Sequence, residues 1–271
     1  MFQGWKVSIV IPAYNEEGTI ASVVRDFGAH PNVDEILVVD NNCVDRTAEI
    51  AREAGARVVA ETARGYGSAL KRGMDEAGGD VVVLVEADGS FRALDLAKFL
   101  CYLPDCAMVL GARTTRQMVQ QGANMHALLR WGNVAAAKIL ELLWFISSEP
   151  RLTDVGCTYR ALHRATWNAI RGGLKEAGAP FSPEMICEAF RCGLRVIEIP
   201  VHYFSRGAGE SKHSKGFLQV AKTGLRMLRA ILRKRLARGV PAEKRRELAA
   251  FIPSQPAAAG AVPEQTPRMV R

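Results

Sequence analysis

The sequence has 271 residues, 48% of them hydrophobic and 24% charged, which allows one generous core and is ordinary for a globular protein. Its six cysteines (Cys43, Cys101, Cys106, Cys157, Cys187, Cys192) form no CxxC pair and no ligand-like grouping with the five histidines, which argues against a zinc site or a disulfide framework and fits a reducing cytosol. The net charge of +8 suggests nucleic-acid binding until it is located: residues 211–242 hold nine lysines and arginines and no acid, leaving the rest of the chain at −1.

Met1–Lys6 lacks a charged region followed by an apolar run, and no stretch of eighteen uncharged apolar residues occurs, so neither a secretory signal nor a membrane span is predicted. Val7-Ser8-Ile9-Val10-Ile11 reads as a first strand ended by Pro12, with Asn15 or Thr19 placed to cap a helix running to about Phe27. Glu35–Asp40 is a second strand that ends on an acid, and a helix from about Thr47 to Ala54 closes at Gly55. After a short strand Arg57–Ala60, the loop Arg64-Gly65-Tyr66-Gly67 leads into a helix to about Ala77. That loop could cradle a phosphate, but Leu70 stands where the dinucleotide-binding fingerprint has its third glycine, so a Rossmann dehydrogenase fits poorly.

Val81–Val85 is apolar at every position, as a parallel strand covered on both faces would be, and it runs straight into Glu86-Ala87-Asp88. The alternation of strand and helix predicts a parallel sheet with right-handed crossovers, whose ligands gather beyond the carboxyl ends of the strands. Asp40, Glu86 and Asp88 then share one edge. Two oxygen ligands spaced i, i+2 suit Mg²⁺ or Mn²⁺, held by one or two carboxylates together with substrate phosphates, which implies a diphosphate substrate. In the alternative reading these acids only open a turn or cap a helix.

A helix near Arg92–Leu103 and a strand Ala107–Leu110 follow, then Asn124–Ile146, a long helical stretch rich in Leu, Ala and Trp whose apolar part is too short to span a bilayer. Thr153–Leu162 reads as an irregular strand or loop, with helices near Arg164–Ile170 and Ser182–Arg191 and a last strand Arg195–Ile199. Lys215–Arg238 is helical by period: Phe217, Ala221, Leu225, Leu228 and Leu232 form one stripe, and Lys222, Arg226, Arg229 and Arg233 form a second about 100° round from it. Such a helix is expected to lie on an anionic membrane surface; alternatively its apolar stripe packs on the protein's own core. With Phe217 its one aromatic, the basic segment is a poor nucleic-acid partner. From Gly239 the composition predicts a disordered tail, so the expected division is a main domain over 1–212, a surface helix over 213–238 and a tail over 239–271.

Five stretches, Val7–Glu17, Val39–Thr47, Glu86-Ala87-Asp88, Gly111-Ala112-Arg113 and Thr153–Cys157, look like the ordered motifs of family 2 glycosyltransferases. Glu198-Ile199-Pro200 and Arg206–Lys212 resemble the dolichyl-phosphate mannose synthase branch, and the resemblance covers roughly residues 6–215. It implies a GT-A fold, a mostly parallel Rossmann-like sheet flanked by helices, with a single-metal site. The implied reaction is inverting transfer of a hexose from a nucleotide sugar, of the GDP-mannose or UDP-glucose type, to a polyprenyl phosphate at the cytosolic membrane face. A hydroxyl on a lipid or a small soluble molecule is the alternative acceptor. By matching motif, Pro12, Ala13, Tyr14, Glu16 and Asp40 hold the nucleoside and Glu86 and Asp88 the Mg²⁺ or Mn²⁺. Arg113 lies on the donor side, Arg206 and Lys212 approach the phosphates, and Asp88, Arg206 and the acceptor-side acid Asp154 form the catalytic set. On a hydroxyl acceptor Asp154 would act as general base; a phosphate, with a second pKa of about 6, is already ionised and needs none. Asp154 could instead be a cap or a partner for Arg160. Three departures from the family's pattern stand out: Glu86 replaces an aspartate, Asp40-Asn41-Asn42 replaces Asp-Gly-Ser, and Leu129 replaces the serine before Arg130.

Overall fold

A computed structural model describes residues 1–120, 123, 127–207, 217–237 and 239–240, with 127–129 and 217–220 as backbone only. Strand and helix alternate through the first half as β1 (Val7–Ala13), α1 (Ile20–Gly28), β2 (Glu35–Asp40), α2 (Thr47–Glu53), β3 (Arg57–Ala60), α3 (Tyr66–Glu76) and β4 (Val81–Leu84). The second half holds α4 (Leu96–Tyr102), β5 (Met108–Ala112), α5 (Ala127–Ser148), β6 (Arg160–His163), α6 (Arg164–Ile170), α7 (Phe181–Arg191), β7 (Val196–Pro200) and α8 (Phe217–Leu236).

The seven strands form one sheet in the order β3-β2-β1-β4-β6-β5-β7. All pairings are parallel except those of β6, which runs antiparallel to β4 and β5. Helices cover both faces. One core gathers Ile9, Ile11, Phe27, Phe99 and Tyr159, the other Val10, Leu37, Met74, Trp167 and Phe181. Burial on both faces is why β1, β2 and β4 read as unbroken apolar runs.

One strand bound is corrected and one open alternative is resolved. Pro12 does not end β1, which pairs with β2 as far as Ala13 beside Asp40. Val10 receives the last bond from the β4 side, where Val85 N–H donates to its carbonyl at 3.1 Å, so Pro12, two residues on, lacks its N–H where no neighbour strand needs it. The irregular stretch resolves into a loop and then β6, disguised in sequence by two polar residues that are fully buried. Arg160 donates to the carbonyls of Cys157 (2.8 Å), Ser182 (2.7 Å) and Val155 (3.0 Å), and a ring nitrogen of His163 meets the Leu103 carbonyl at 2.9 Å. Satisfied in this way, the polar groups are tolerated inside the sheet.

Near the C-terminus, α5 and α8 pack on α7 and on each other. Lys234 of α8 is 4% exposed and lies 3.3 Å from Glu184 and 2.8 Å from Glu188 of α7, while also donating to the Gly173 carbonyl. Arg233 reaches Glu184 at 3.0 Å and Glu176 at 2.9 Å. Its place in the free cationic stripe is therefore corrected: it helps to pin α8 down. The core-facing residues of α8 are Ala230, Ile231 and Lys234, whereas Leu225 and Leu232 are 51% and 40% exposed. The reading in which the apolar stripe packs on the core is overturned at those two positions. No helix among the described residues is long and apolar enough to cross a membrane. Asn124–His126, Lys212, Lys215 and the expected tail beyond Val240 lie outside the described residues.

Candidate active site

The carboxyl ends of β1, β2 and β4 meet at one edge, and the acids of two motifs arrive there through strand register. Ala13 lies beside Asp40, and β4 continues through Val85 directly into Glu86. The turn after β1 is stitched to the turn after β2. Asn15, at φ 55°, accepts the Val44 N–H at 2.9 Å, and Thr47 Oγ1 accepts the Glu16 N–H at 2.8 Å. Asp40 Oδ1 accepts the Cys43 N–H at 2.8 Å, which is the turn-forming role weighed for it, while the residue remains half-buried at the edge. Pro12, Ala13, Tyr14 and Glu16 thus share one edge with Asp40, where Ala13 is buried at 2% exposure and Tyr14 is 45% exposed. The Asn-Asn departure has a structural use. Asn41 Nδ2 donates to the carbonyls of Glu61 (3.0 Å) and Ala63 (2.8 Å), and Asn42 Nδ2 donates to Glu61 (3.1 Å), which staples the loop after β3 to this edge.

Beyond β4, Asp88 is 3% exposed and its Oδ1 accepts from the Ser90 N–H (2.9 Å) and hydroxyl (2.6 Å). Its Oδ2 is buried without a hydrogen-bond donor. Arg206 Nε lies 3.0 Å away as an ion pair, but neither atom is in hydrogen-bond geometry. The arginine is brought there by backbone bonds, from Phe204 N–H to the Ser90 carbonyl (2.9 Å) and from Gly207 N–H to the Asp88 carbonyl (3.1 Å). Glu86 accepts the Thr158 hydroxyl at 2.6 Å, and that hydroxyl shares a 2.7 Å bond with Tyr66. Burial, and then the neighbouring Asp88 charge, push the Glu86 carboxyl up to about 7. Two carboxylates held together, one with an orphaned buried oxygen, are a donor set that suits a hard divalent cation. No group of three or more His, Cys, Asp and Glu that could hold a metal ion occurs among the described residues.

Asp154 and Arg113, assigned to opposite sides of the reaction by resemblance, are partners. Arg113 donates from its backbone N–H (3.1 Å) and Nε (2.8 Å) to Asp154 Oδ2 and from its terminal nitrogen (3.0 Å) to Oδ1, which also accepts the Gly156 N–H at 3.0 Å. Burial alone would raise the Asp154 carboxyl, but the Arg113 charge and hydrogen bonds hold it below the usual carboxylate value. The guanidinium also lies over the Tyr203 ring, 5.4 Å from its centre. Glu198 fixes the segment from behind, accepting from Thr153 N–H and hydroxyl and from Asp154 N–H at 2.7–2.9 Å. Arg160, weighed as a partner of Asp154, binds carbonyls instead.

The phosphate-cradle reading of Arg64-Gly65-Tyr66-Gly67 is corrected. The Gly67 N–H donates to the Ala177 carbonyl at 2.7 Å, and a Cβ on Gly65, at φ 134°, would lie 2.3 Å from that same oxygen. These glycines allow close backbone contact with the turn before α7. Sequence reasoning missed the bracing roles of Thr158, Tyr66 and Glu198. Only Glu198 carried a signal, its place in the Glu-Ile-Pro motif.

Comparison with known proteins adds four findings. The model of the glycosyl transferase family 2 matches residues 8–155. An uncharacterised glycosyltransferase of Mycobacterium tuberculosis (strain H37Rv) is 33% identical over 78% of this chain and 91% of its own length. A dolichyl-phosphate hexose transferase of Haloferax volcanii is 30% identical over 85% of this chain and 96% of its own. Among solved structures, glucosyl-3-phosphoglycerate synthase from Mycobacterium tuberculosis, in complex with Mn²⁺, uridine diphosphate and phosphoglyceric acid, superposes with a TM-score of 0.67 at 22% identity, over 87% of this chain and 80% of that one. At that identity the likeness speaks for the fold alone, a GT-A-like mixed α/β sheet.

Proposed function

We propose that this chain, which belongs to glycosyl transferase family 2, moves a hexose from a nucleotide sugar of the GDP-mannose or UDP-glucose type to a polyprenyl phosphate at the cytosolic membrane face, with inversion. The donor class is supported by the solved neighbour that binds uridine diphosphate and Mn²⁺, and the acceptor class by the dolichyl-phosphate hexose transferase. The observation that carries the choice of acceptor is the engagement of Asp154: both carboxylate oxygens accept from Arg113, and one accepts from Gly156 as well. A carboxylate so held is a poor proton acceptor, and an ionised phosphate requires none.

In this reading the edge shared by Pro12–Glu16 and Asp40 receives the nucleoside. Glu86 and Asp88 would hold Mg²⁺ or Mn²⁺, which neutralises developing charge on the leaving diphosphate. Thr158 and Ser90 orient the two carboxylates. Arg206, paired with Asp88 at 3.0 Å, would turn from that carboxylate to pair with the donor diphosphate, with Lys212 following in the same motif. Arg113 and Asp154, braced by Glu198, set the floor on the acceptor side.

The neighbour's complex with phosphoglyceric acid favours a second reading, transfer to a hydroxyl of a small soluble acceptor. Asp154→Asn separates the two. With a phosphate acceptor, kcat falls by less than the roughly 10²–10⁴-fold typical of removing a general base, and the acidic limb of the pH profile stays where it was. A larger fall, with that limb abolished, selects the hydroxyl reading.

A further inference from the structure

We infer that α5 and α8 together form a docking surface for an anionic lipid bilayer, with α5 supplying a second inserted face beside the amphipathic α8. The inference deepens the proposed lipid-acceptor function and rests on that reading for its purpose, although it is carried by residues outside the active site.

The two helices lie side by side on α7 and bury Ala137, Leu140 and Trp144 of α5 and Ala230, Ile231 and Lys234 of α8. At 100° per residue, the opposite side of α5 carries Trp131, Ala135, Leu142 and Ile146, and the opposite side of α8 carries Leu225, Leu232 and Leu236. Trp131 is 63% exposed, Leu142 79%, Ile146 100% and Leu236 84%. A helix apolar on both faces is the pattern of a buried element, and clustered exposed apolar residues mark an interaction surface.

The charge around this surface selects its occupant. Lys222, Arg226, Arg229 and Arg235 are exposed on α8, which contains no acid. The one acid within α5, Glu141, is already engaged by Lys138 at 2.9 Å and by the Leu152 N–H. A second copy docked about a two-fold axis would set these cations against themselves. An anionic headgroup layer accepts them, while the leucines and isoleucine enter the acyl boundary and the tryptophan sits at the interface. The placement also serves the reaction. Ser148, which ends α5, precedes Asp154 by six residues, and α8 begins eleven residues after Arg206.

The four tryptophans make the test direct, because Trp5, Trp144 and Trp167 are 7%, 4% and 1% exposed while Trp131 is open. The full chain is mixed with vesicles of phosphatidylcholine, with and without phosphatidylglycerol. Tryptophan emission shifts to the blue with the anionic vesicles and is quenched by brominated acyl chains, and both signals vanish in Trp131→Phe. The double variant Leu142→Glu/Ile146→Glu lowers the vesicle partition constant at least tenfold, as does Arg226→Glu/Arg229→Glu, with an unchanged melting temperature because all four side chains are exposed. Absence of binding to anionic vesicles, or binding indifferent to the α5 pair, overturns the inference. So does a wild-type dimer, seen by sedimentation, that the α5 pair converts to monomer without any change in lipid binding. Transfer to a short-chain polyprenyl phosphate in vesicle-free buffer reports separately on the function. Transfer without vesicle binding rejects the surface alone, and vesicle binding without transfer supports the surface and rejects the acceptor.

Discussion

Asp88→Asn lowers glycosyl transfer by at least about 10³-fold, the upper end of what removing one preorganised stabiliser of transition-state charge costs. Asn keeps the size of the side chain, and its amide oxygen can still accept from Ser90, so the loop geometry survives. The negative charge does not, and Oδ2, the buried oxygen without a hydrogen-bond donor, is the atom through which that charge acts. The variant folds, since the Arg206 partner is itself 24% exposed and gains water when released. Chelation with EDTA reproduces the loss in the wild-type protein, and Mn²⁺ or Mg²⁺ restores the wild type but not the variant. Retention of more than a tenth of the activity by Asp88→Asn, or full turnover in EDTA, would remove these acids from the mechanism.

Arg113→Met destabilises the fold by about 3–5 kcal/mol, because it leaves Asp154 buried as an uncompensated charge. For a chain of this length that is a fall in Tm of roughly 6–20 °C. The double variant Arg113→Met/Asp154→Leu recovers most of that loss, since replacing a buried pair by apolar side chains is often close to neutral. The sign of the pH dependence follows from the depressed Asp154 carboxyl. Its contribution is fully present above about pH 4, the ordinary Asp value, and is lost as the pH falls through the lower folded value. Urea unfolding from pH 7 down to pH 3 measures both effects; equal stability of the single and double variants would contradict the buried fork.

The parallel half of the sheet was legible because strands buried on both faces leave long β-branched runs with turn residues between them. The meeting of Asp40, Glu86 and Asp88 followed from strand order alone, since equivalent strand ends of a parallel sheet share an edge. β6 was not legible, because a buried arginine and histidine satisfied by main-chain carbonyls look like loop residues in one dimension. The Arg113–Asp154 fork joins residues 41 apart in sequence, and nothing local marks either as the other's partner. The glycines at the start of α3 signal close backbone approach, but sequence does not say whether a phosphate or the Ala177 carbonyl approaches. The outer face of α5 was hidden for the opposite reason: a helix apolar all round reads as core, and only its position over α7 shows which side stays open.

The measurement that tests the proposed transfer most directly is incubation of the full chain with radiolabelled GDP- and UDP-hexoses, Mn²⁺ or Mg²⁺, and polyprenyl phosphate, followed by organic extraction. The expected result is label from one donor in the organic phase, dependent on the polyprenyl phosphate and absent with Asp88→Asn. Label that enters only water-soluble products, or an organic phase that stays unlabelled with every donor while a small hydroxyl acceptor is glycosylated, would contradict it.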